Sequence, residues 1–416
     1  MERRPNFCYR PDVKGGFEHI RGAIWLTTII LALSCMLPID LAIMSALLDR
    51  FHVGGGYRFD FTVFWTAARL PGHNIYDVDA MTRAQLPMTG TETLRPFANP
   101  PSFLLLFSPF ASLPFWWAFS AWTAAGLASF VLAARKIASP LAIMISLFSP
   151  AFVMAVAPGQ TSLITGAGII GGISIARDRP ILAGMLVAGA ALVKPQAALL
   201  VPLDLVAARQ WSALLAAAIA GTVALGACLL VQGPGLWFRW VDSLSGFMLI
   251  VRDLGIVDSG VTPTSLVHIH GIDQPWATIV IAAGTVLGVA TVWRIFRHGN
   301  DPRLRIAALL AGGLLCSPYA MGYELAPLMP IAGALMIDRK CHWSGWVCGA
   351  LLLSYLAPSF SPWVVAILCF YRYSAQKLAR ADAPCLSPPQ PLVDDDHLAA
   401  AGRRSWRDRS QHFNRN

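Results

Sequence analysis

The stretch Pro180 to Ala208, PILAGMLVAGAALVKPQAALLVPLDLVAA, is apolar on both sides of an interruption at Lys194-Pro195 and is bracketed by Arg179 and Arg209. Arginines mark the cytosolic ends of membrane segments, so both ends of the stretch belong on one side and the two halves form a hairpin. Each half has only about fourteen residues, below the roughly twenty needed to cross hydrocarbon. Backbone that turns at membrane depth must be sheltered by protein or line a water-filled cavity. A hairpin of this kind implies a bundle of helices around it.

Outward from that hairpin the same alternation covers the chain. Hydrophobic residues make up 56% and charged residues 13%, and the apolar residues come in long blocks, which marks a polytopic membrane protein and excludes a soluble domain. The formal net charge is +9, but Lys and Arg sit in short clusters between apolar blocks, which speaks against nucleic acid as a partner. Arg3, Arg4, Arg10, Lys14 and Arg21 precede a first apolar run at about 22–47. That run is too long for a cleaved signal and is expected to stay as the first helix.

A mixed outer loop, 48–100, follows. A second apolar region ends at Arg135-Lys136, and the next two spans meet at Ala157-Pro158-Gly159-Gln160-Thr161-Ser162 and end at Arg177-Asp178-Arg179. After the hairpin a span at about 211–231 leads to a second outer loop, 232–274, and the span beyond it ends at Arg294, Arg297, Arg303 and Arg305. A pair broken at Ser317-Pro318-Tyr319 returns to Asp338-Arg339-Lys340, and a last pair broken at Ala357-Pro358-Ser359 ends at Arg372, Lys377 and Arg380. The expected fold is all-α, with about ten to twelve transmembrane helices and both termini cytosolic. Its parts are a basic N-terminus (1–21), a transmembrane domain (22–373) and a tail (374–416) read as disordered from its Pro, Arg and Asp content.

Cys35, Cys228, Cys316, Cys348 and Cys369 fall in apolar blocks and Cys8, Cys341 and Cys385 in cytosolic segments, so no disulfide framework is implied. Asp394-Asp395-Asp396-His397 reads as a solvated charge run rather than a metal site. The absence of an internal repeat counts against transporters built from inverted halves.

Both long loops and the polar breaks at Gln160, Lys194 and Tyr319 fall on the outer side, so the chemistry is expected there. Tyr57-Arg58-Phe59-Asp60-Phe61-Thr62-Val63-Phe64-Trp65 sets an acid among five aromatics at a membrane boundary. A carboxylate so placed is partly desolvated, which raises its proton affinity toward that of a general base; the plainer reading is an aromatic belt with an incidental acid. Asp40, inside the first span, either faces a cavity or pairs with Arg50 or Arg58. Pro195 disfavours helix at Lys194 and suits the first turn of the next segment, so the lysine is expected beside free N–H groups, an arrangement that attracts phosphate. It is otherwise a snorkelling lysine at a turn.

Either Thr161 or Ser162 caps the following helix and leaves Gln160 free for hydroxyls, or the break is a plain turn. Tyr319, Tyr323 and Glu324 populate the third break, and Glu324 is either a site residue or a buried hydrogen-bonded acid. Asn99-Pro100-Pro101 ends a loop and launches a span without needing a function. In the second loop, Arg239, Arg252 and His268 are mobile candidates without informative spacing. No phosphate-cradling glycine loop or His-Glu-x-x-His is present, and His268 with His270 is too little for a metal.

In order, Arg58-Phe59-Asp60-Phe61, Phe64-Trp65-Thr66-Ala67-Ala68, Asn74-Ile75-Tyr76, Pro100-Pro101, Pro158-Gly159-Gln160, Lys194-Pro195-Gln196 and Ser317-Pro318-Tyr319 resemble glycosyltransferase family 87. The resemblance covers about residues 20–375. It implies a fold of the GT-C superfamily in the plasma (inner) membrane, and a polyprenyl-phosphate hexose, usually mannose, as the donor. A glycolipid or polysaccharide would be the acceptor, and no cofactor is implied beyond the lipid-linked sugar. By the same resemblance Asp60 takes the catalytic position and Lys194, Gln160 and Gln196 fall in the family's outer-face breaks. Asn99 stands where the family usually has an aromatic.

The chemistry that follows is an inverting displacement with Asp60 as base. The phosphate is held by Lys194 with Arg58 or a second-loop arginine such as Arg252, and the sugar or acceptor is met by Gln160, Gln196, Asn99, Tyr319 and Glu324. The rival reading is a transporter or lipid flippase using Asp40, Lys194 and Glu324.

Overall fold

A computed structural model describes residues 37–42, 45, 60–70, 74–90, 92, 95–253, 256–299, 301–337, 349 and 358–381. The basic N-terminus, most of the expected first span, Tyr57 to Phe59 including Arg58, the break at Ala357 and the tail from residue 382 lie outside the described residues. The chain divides into two compact units, 1–371 and 372–416. Among the described residues every regular element is helical, with one isolated antiparallel bridge between Gly260 and Met321.

After a helical fragment at 37–42 come α1 (Asp60–Arg69), a 3-10 turn (Asn74–Tyr76) and α2 (Val78–Thr89), so the described part of the expected first outer loop is largely helical. The second apolar region is also not one span. It divides into α3 (Pro101–Ala111) and α4 (Phe115–Ala134), because Pro114 cannot continue the first helix and instead starts the second. Next come α5 (Pro140–Leu147), α6 (Pro150–Val156) and α7 (Ser162–Ile175). Ser139 and Ser149 cap α5 and α6 by accepting from backbone N–H groups, with proline in the first turn where its missing donor costs nothing.

The expected hairpin is α8 (Pro180–Val193), a 3-10 turn (Pro195–Ala198) and α9 (Val201–Ala207). The remainder is α10 (Trp211–Gln232), α11 (Gly235–Asp253), a 3-10 turn (Ile256–Ser259), α12 (Pro263–Ile269), α13 (Trp276–His298) and α14 (Pro302–Cys316). A 3-10 segment (Gly322–Leu328), α15 (Met329–Ile337) and α16 (Ser361–Ala381) close the described chain. The helix runs on to Ala381, beyond residue 373 where the tail was expected to begin.

Three described helices, α4, α10 and α13, are long and apolar enough to cross a membrane alone. The others are short, and sequence blocks read as single spans are divided by prolines, so the described helices do not translate one for one into ten to twelve spans. α10 turns Leu215, Ile219, Val223, Leu230 and Val231 outward, an apolar surface that lipid rather than water must cover. The short helices pack against one another and against the long ones: α7 on α4 and α8, α8 on α10, and α14 on α13. Their seams are made of small residues. A Cβ at Gly172 would come within 2.7 Å of Val187 Cγ1, and one at Gly184 within 2.5 Å of Ala217 N. In a membrane, where apolar burial gains nothing over lipid, close backbone approach of this kind holds helices together.

α7, α8 and α14 have 14, 14 and 15 residues, or roughly 21 Å of helix at 1.5 Å per residue. Gln160, Lys194 and Ser317 adjoin one end of them; Arg177, Arg179 and Arg305 mark the other. One bundle therefore carries a polar end and a basic end.

Candidate functional site

Asp60 is the first residue of α1, where the helix dipole favours a negative charge. Its helix is anchored from behind. Phe61 is fully buried and meets Phe107, Phe115 and Phe119 edge-on at 5.6, 5.5 and 5.3 Å between ring centroids. Phe64 and Trp65 point into the same aromatic core. Phe61, Phe64 and Trp65, the described aromatics of the stretch, thus hold the helix in the core rather than surround the carboxylate.

What the carboxylate meets is polar. Its Oδ1 lies 3.3 Å from Arg95 Nη1, its Oδ2 accepts from Gln160 Nε2, and its side chain is 45% exposed. Phe61 N also donates to Pro158 O at 3.0 Å, stitching the start of α1 to the Pro158-Gly159-Gln160 break. Gly159 has φ +74°, and a Cβ there would press within 3.0 Å of both Phe61 Cβ and Phe119 Cε2, so glycine is required at that bend. Trp122 Nε1 donates to Gly159 O at 3.0 Å. Gln160 is therefore committed to orienting Asp60 rather than left free. The cap expected from Thr161 or Ser162 does not form: Thr161 makes no side-chain cap, and Ser162 Oγ has no hydrogen-bond partner among the described residues.

Lys194 has the extended backbone that Pro195 imposes, φ −150° and ψ 89°. The element it introduces is a four-residue 3-10 turn, and its ammonium is not a free cation but pairs with Glu324 Oε1, the two side chains being 10% and 6% exposed. Nζ also sits 5.3 Å over the ring of Tyr323. Both readings of Glu324, site residue and buried hydrogen-bonded acid, thus meet in one contact. A cavity of about 30 Å³, bounded by Lys194, Gln196, Ser317, Glu324 and Thr165, adjoins the pair. That is room for a water and too little for a phosphate.

Asn99 clamps this end of α8: its Nδ2 donates to Val193 O at 3.0 Å, and its own carbonyl accepts from Tyr76 OH at 2.8 Å. Ser102 Oγ donates to Leu192 O at 2.7 Å. The chain at Asn99 therefore carries a positioning task that the double proline did not reveal.

Tyr319 lies in the field of both carboxylates. Its hydroxyl hydrogen-bonds that of Tyr323, and both tyrosines feel the charges of Asp60 and Glu324. Burial, with those two charges adding to it, pushes the Tyr319 hydroxyl well above the usual phenol range, so it acts as a neutral donor. Its ring packs edge-on against Phe247 of α11 at 5.3 Å. The expected second loop is thus an ordered helical cover, tied down again by Trp240 Nε1 donating to Ala98 O at 3.0 Å.

Other candidates are not gathered here. Arg252 is exposed in the last turn of α11 and makes no ion pair with Asp60 or Glu324 among the described residues. Arg239 donates to Asn74 Oδ1 at 3.4 Å, and His268 lies 3.9 Å from Asp258. Asp40 is half-buried in a helical fragment, and its Oδ1 has no partner among the described residues. Cys228, Cys316 and Cys369 are free thiols. No group of His, Cys, Asp or Glu able to hold a metal is present among the described residues. Arg95, which pairs with the proposed base from 35 residues away, was missed. Its only signal was being a cation in the first outer loop.

No curated protein and no solved structure matches the chain. The family model of glycosyltransferase family 87 matches residues 97–318, more than half of the chain. Asn99, Gln160, Lys194, Gln196 and Ser317 fall inside that match, whereas Asp60, Arg95, Tyr319 and Glu324 fall outside it. The chain belongs to glycosyltransferase family 87 and is a membrane glycosyltransferase.

Proposed function

We propose that this enzyme moves a hexose, mannose by family resemblance, from a polyprenyl-phosphate donor to an acceptor hydroxyl at the extracytoplasmic face, with inversion and with Asp60 as general base. The observation that carries the reading is the half-exposed Asp60 carboxylate, aimed by Gln160 and Arg95 in a chain of this family. The acceptor oxygen attacks the anomeric carbon and gives its proton to Asp60. The bond from that carbon to the phosphate oxygen breaks, and the polyprenyl phosphate leaves with the electron pair. A single in-line displacement inverts the sugar.

The leaving phosphate needs cations more than an acid. Arg95, 3.3 Å from the base, is the nearest described one. Lys194 meets the donor's phosphate only once Glu324 moves aside and the small cavity beside the pair widens, which leaves Glu324, the Tyr319 hydroxyl and Gln196 to face the sugar. Arg58 and Arg252 are given no step.

Asp60→Asn keeps the shape and the helix start while removing the base. In membranes supplied with a radiolabelled polyprenyl-phosphate mannose, the variant is expected to lose transfer by about 10²–10⁴-fold while remaining folded. A rate near wild type would remove Asp60 from the mechanism, and transfer from a sugar nucleotide alone would reject the lipid donor.

A further inference from the structure

At the end of the bundle away from Gln160 and Lys194, a cavity of about 320 Å³ opens between Arg177, Arg209, Phe296, Arg297, His298 and Gly299. It falls at the lower end of the range of small-ligand sites, roughly 300–1,000 Å³. Three guanidiniums and an imidazole bound it, and no carboxylate is among its lining residues.

The positive-inside rule and the negative ends of α7, α9 and α13 both favour arginines at this end of the molecule. Neither explains why they converge on one concavity. Two further features point to a ligand.

Arg209 has φ +57°, the left-handed region, and is the non-glycine residue with positive φ among the described residues. It follows α9 where a helix usually ends on glycine, with Arg209 N donating to Val206 O and Gln210 N to Leu205 O. A side chain at such a position costs backbone energy that glycine avoids, so the guanidinium is kept there against a conformational preference. Arg305 does not line the cavity but stacks 4.4 Å over the ring of Phe296, which does; it is 7% exposed, and its Nε and Nη2 have no hydrogen-bond partner among the described residues.

Acids lie nearby, but none lines the cavity. Asp204 is fully buried, its oxygens have no hydrogen-bond partner among the described residues, and its charge offsets that of Arg305 rather than that of the lining arginines. Asp301 is occupied in capping α14 through Arg303 N, and Asp178 is exposed beside Arg177. Like charges left facing one cavity repel, and an anion that bridges them relieves that repulsion.

We propose that the cavity between Arg177, Arg209, Arg297 and His298 is a phosphate-binding site, separate from the Asp60 site by the length of α7 and α8, that takes a phosphodiester or diphosphate group. The group can belong to a lipid head or to a soluble phosphate compound, and one experiment distinguishes them.

Full-length protein in phosphatidylcholine nanodiscs is titrated with inorganic pyrophosphate, and protein in nanodiscs containing phosphatidylglycerol is examined by native mass spectrometry for retained lipid. Arg209→Gly and Arg177→Gln/Arg297→Gln are compared with wild type in both arms. Arg209→Gly removes the charge and the backbone strain together. It is expected to weaken binding about tenfold while its unfolding temperature without ligand stays the same or rises. Pyrophosphate binding that the variants lose assigns a soluble phosphate. Phosphatidylglycerol retention that they lose, without pyrophosphate binding, assigns a lipid head. Wild type that holds neither probe, or variants that hold one as well as wild type does, would overturn the site.

Discussion

The two ion pairs at the polar end of the bundle differ in how much water they meet. Lys194 and Glu324 are 10% and 6% exposed at the side chain, whereas Arg95 and Asp60 are 18% and 45% exposed. In the buried pair each charge is the other's main compensation, since the adjoining cavity admits no more than a water. In the open pair, water can replace either partner at a cost of about 0–1 kcal/mol. The buried pair therefore ties the break after α8 to the segment before α15, and the open pair leaves a carboxylate ready to exchange partners. A base that takes a proton at each turnover belongs in the second kind of pair.

Breaking that contrast from the buried side has the largest expected effect on stability. Glu324→Ala strands the Lys194 ammonium and is expected to cost roughly 3–5 kcal/mol, read as a lower unfolding temperature in detergent. The double substitution Lys194→Met/Glu324→Leu removes both charges and should restore most of the loss. If the double variant is as unstable as the single one, the pair is not what the segment depends on.

Phe61→Ala probes the wall behind the open pair rather than the pair itself. Loss of its three ring contacts is expected to cost about 3–5 kcal/mol or somewhat less and to lower transfer through misplacement of Asp60. Stability unchanged within error would mean that α1 is anchored elsewhere.

Arg95→Ala is expected to change stability by no more than about 1 kcal/mol and to raise the KM for the lipid donor more than it lowers kcat. An unchanged KM would leave Arg95 as a surface partner of Asp60. Gln160→Leu should lose a comparable amount, about 0.5–1.5 kcal/mol from one hydrogen bond, visible as a slower rate with little change in donor KM. A larger fall in stability than in rate would make Gln160 a brace of the break rather than an orienter of the base.

Much of the architecture was legible because apolar blocks and arginine clusters respond to the membrane locally. The hairpin around Lys194-Pro195 could be read from two arginines and a proline, and the structure has α8 and α9 there. The outer loops were read only as stretches lacking a long apolar run, so their helices α1, α2 and α11 went unread: mixed polar and aromatic residues carry no block signal. Lys194 and Glu324 were each singled out, but 130 residues separate them and no spacing announces that they meet. Arg95 was illegible for the same reason.

The sequence by itself determined that this is a helical membrane protein, where its helices break, and that it resembles the family to which it belongs, since hydropathy, proline geometry and motif order are written along the chain. Only the tertiary structure decided what each break does. Gln160 was read as free and orients Asp60; Lys194 was read as an open cation and is closed by Glu324; Asn99 was read as a loop end and a substrate contact and clamps α8. Whether a polar group inside a membrane protein is free or occupied depends on which distant residue reaches it. That is settled when small-residue seams bring the helices into contact, not by any neighbour in the chain.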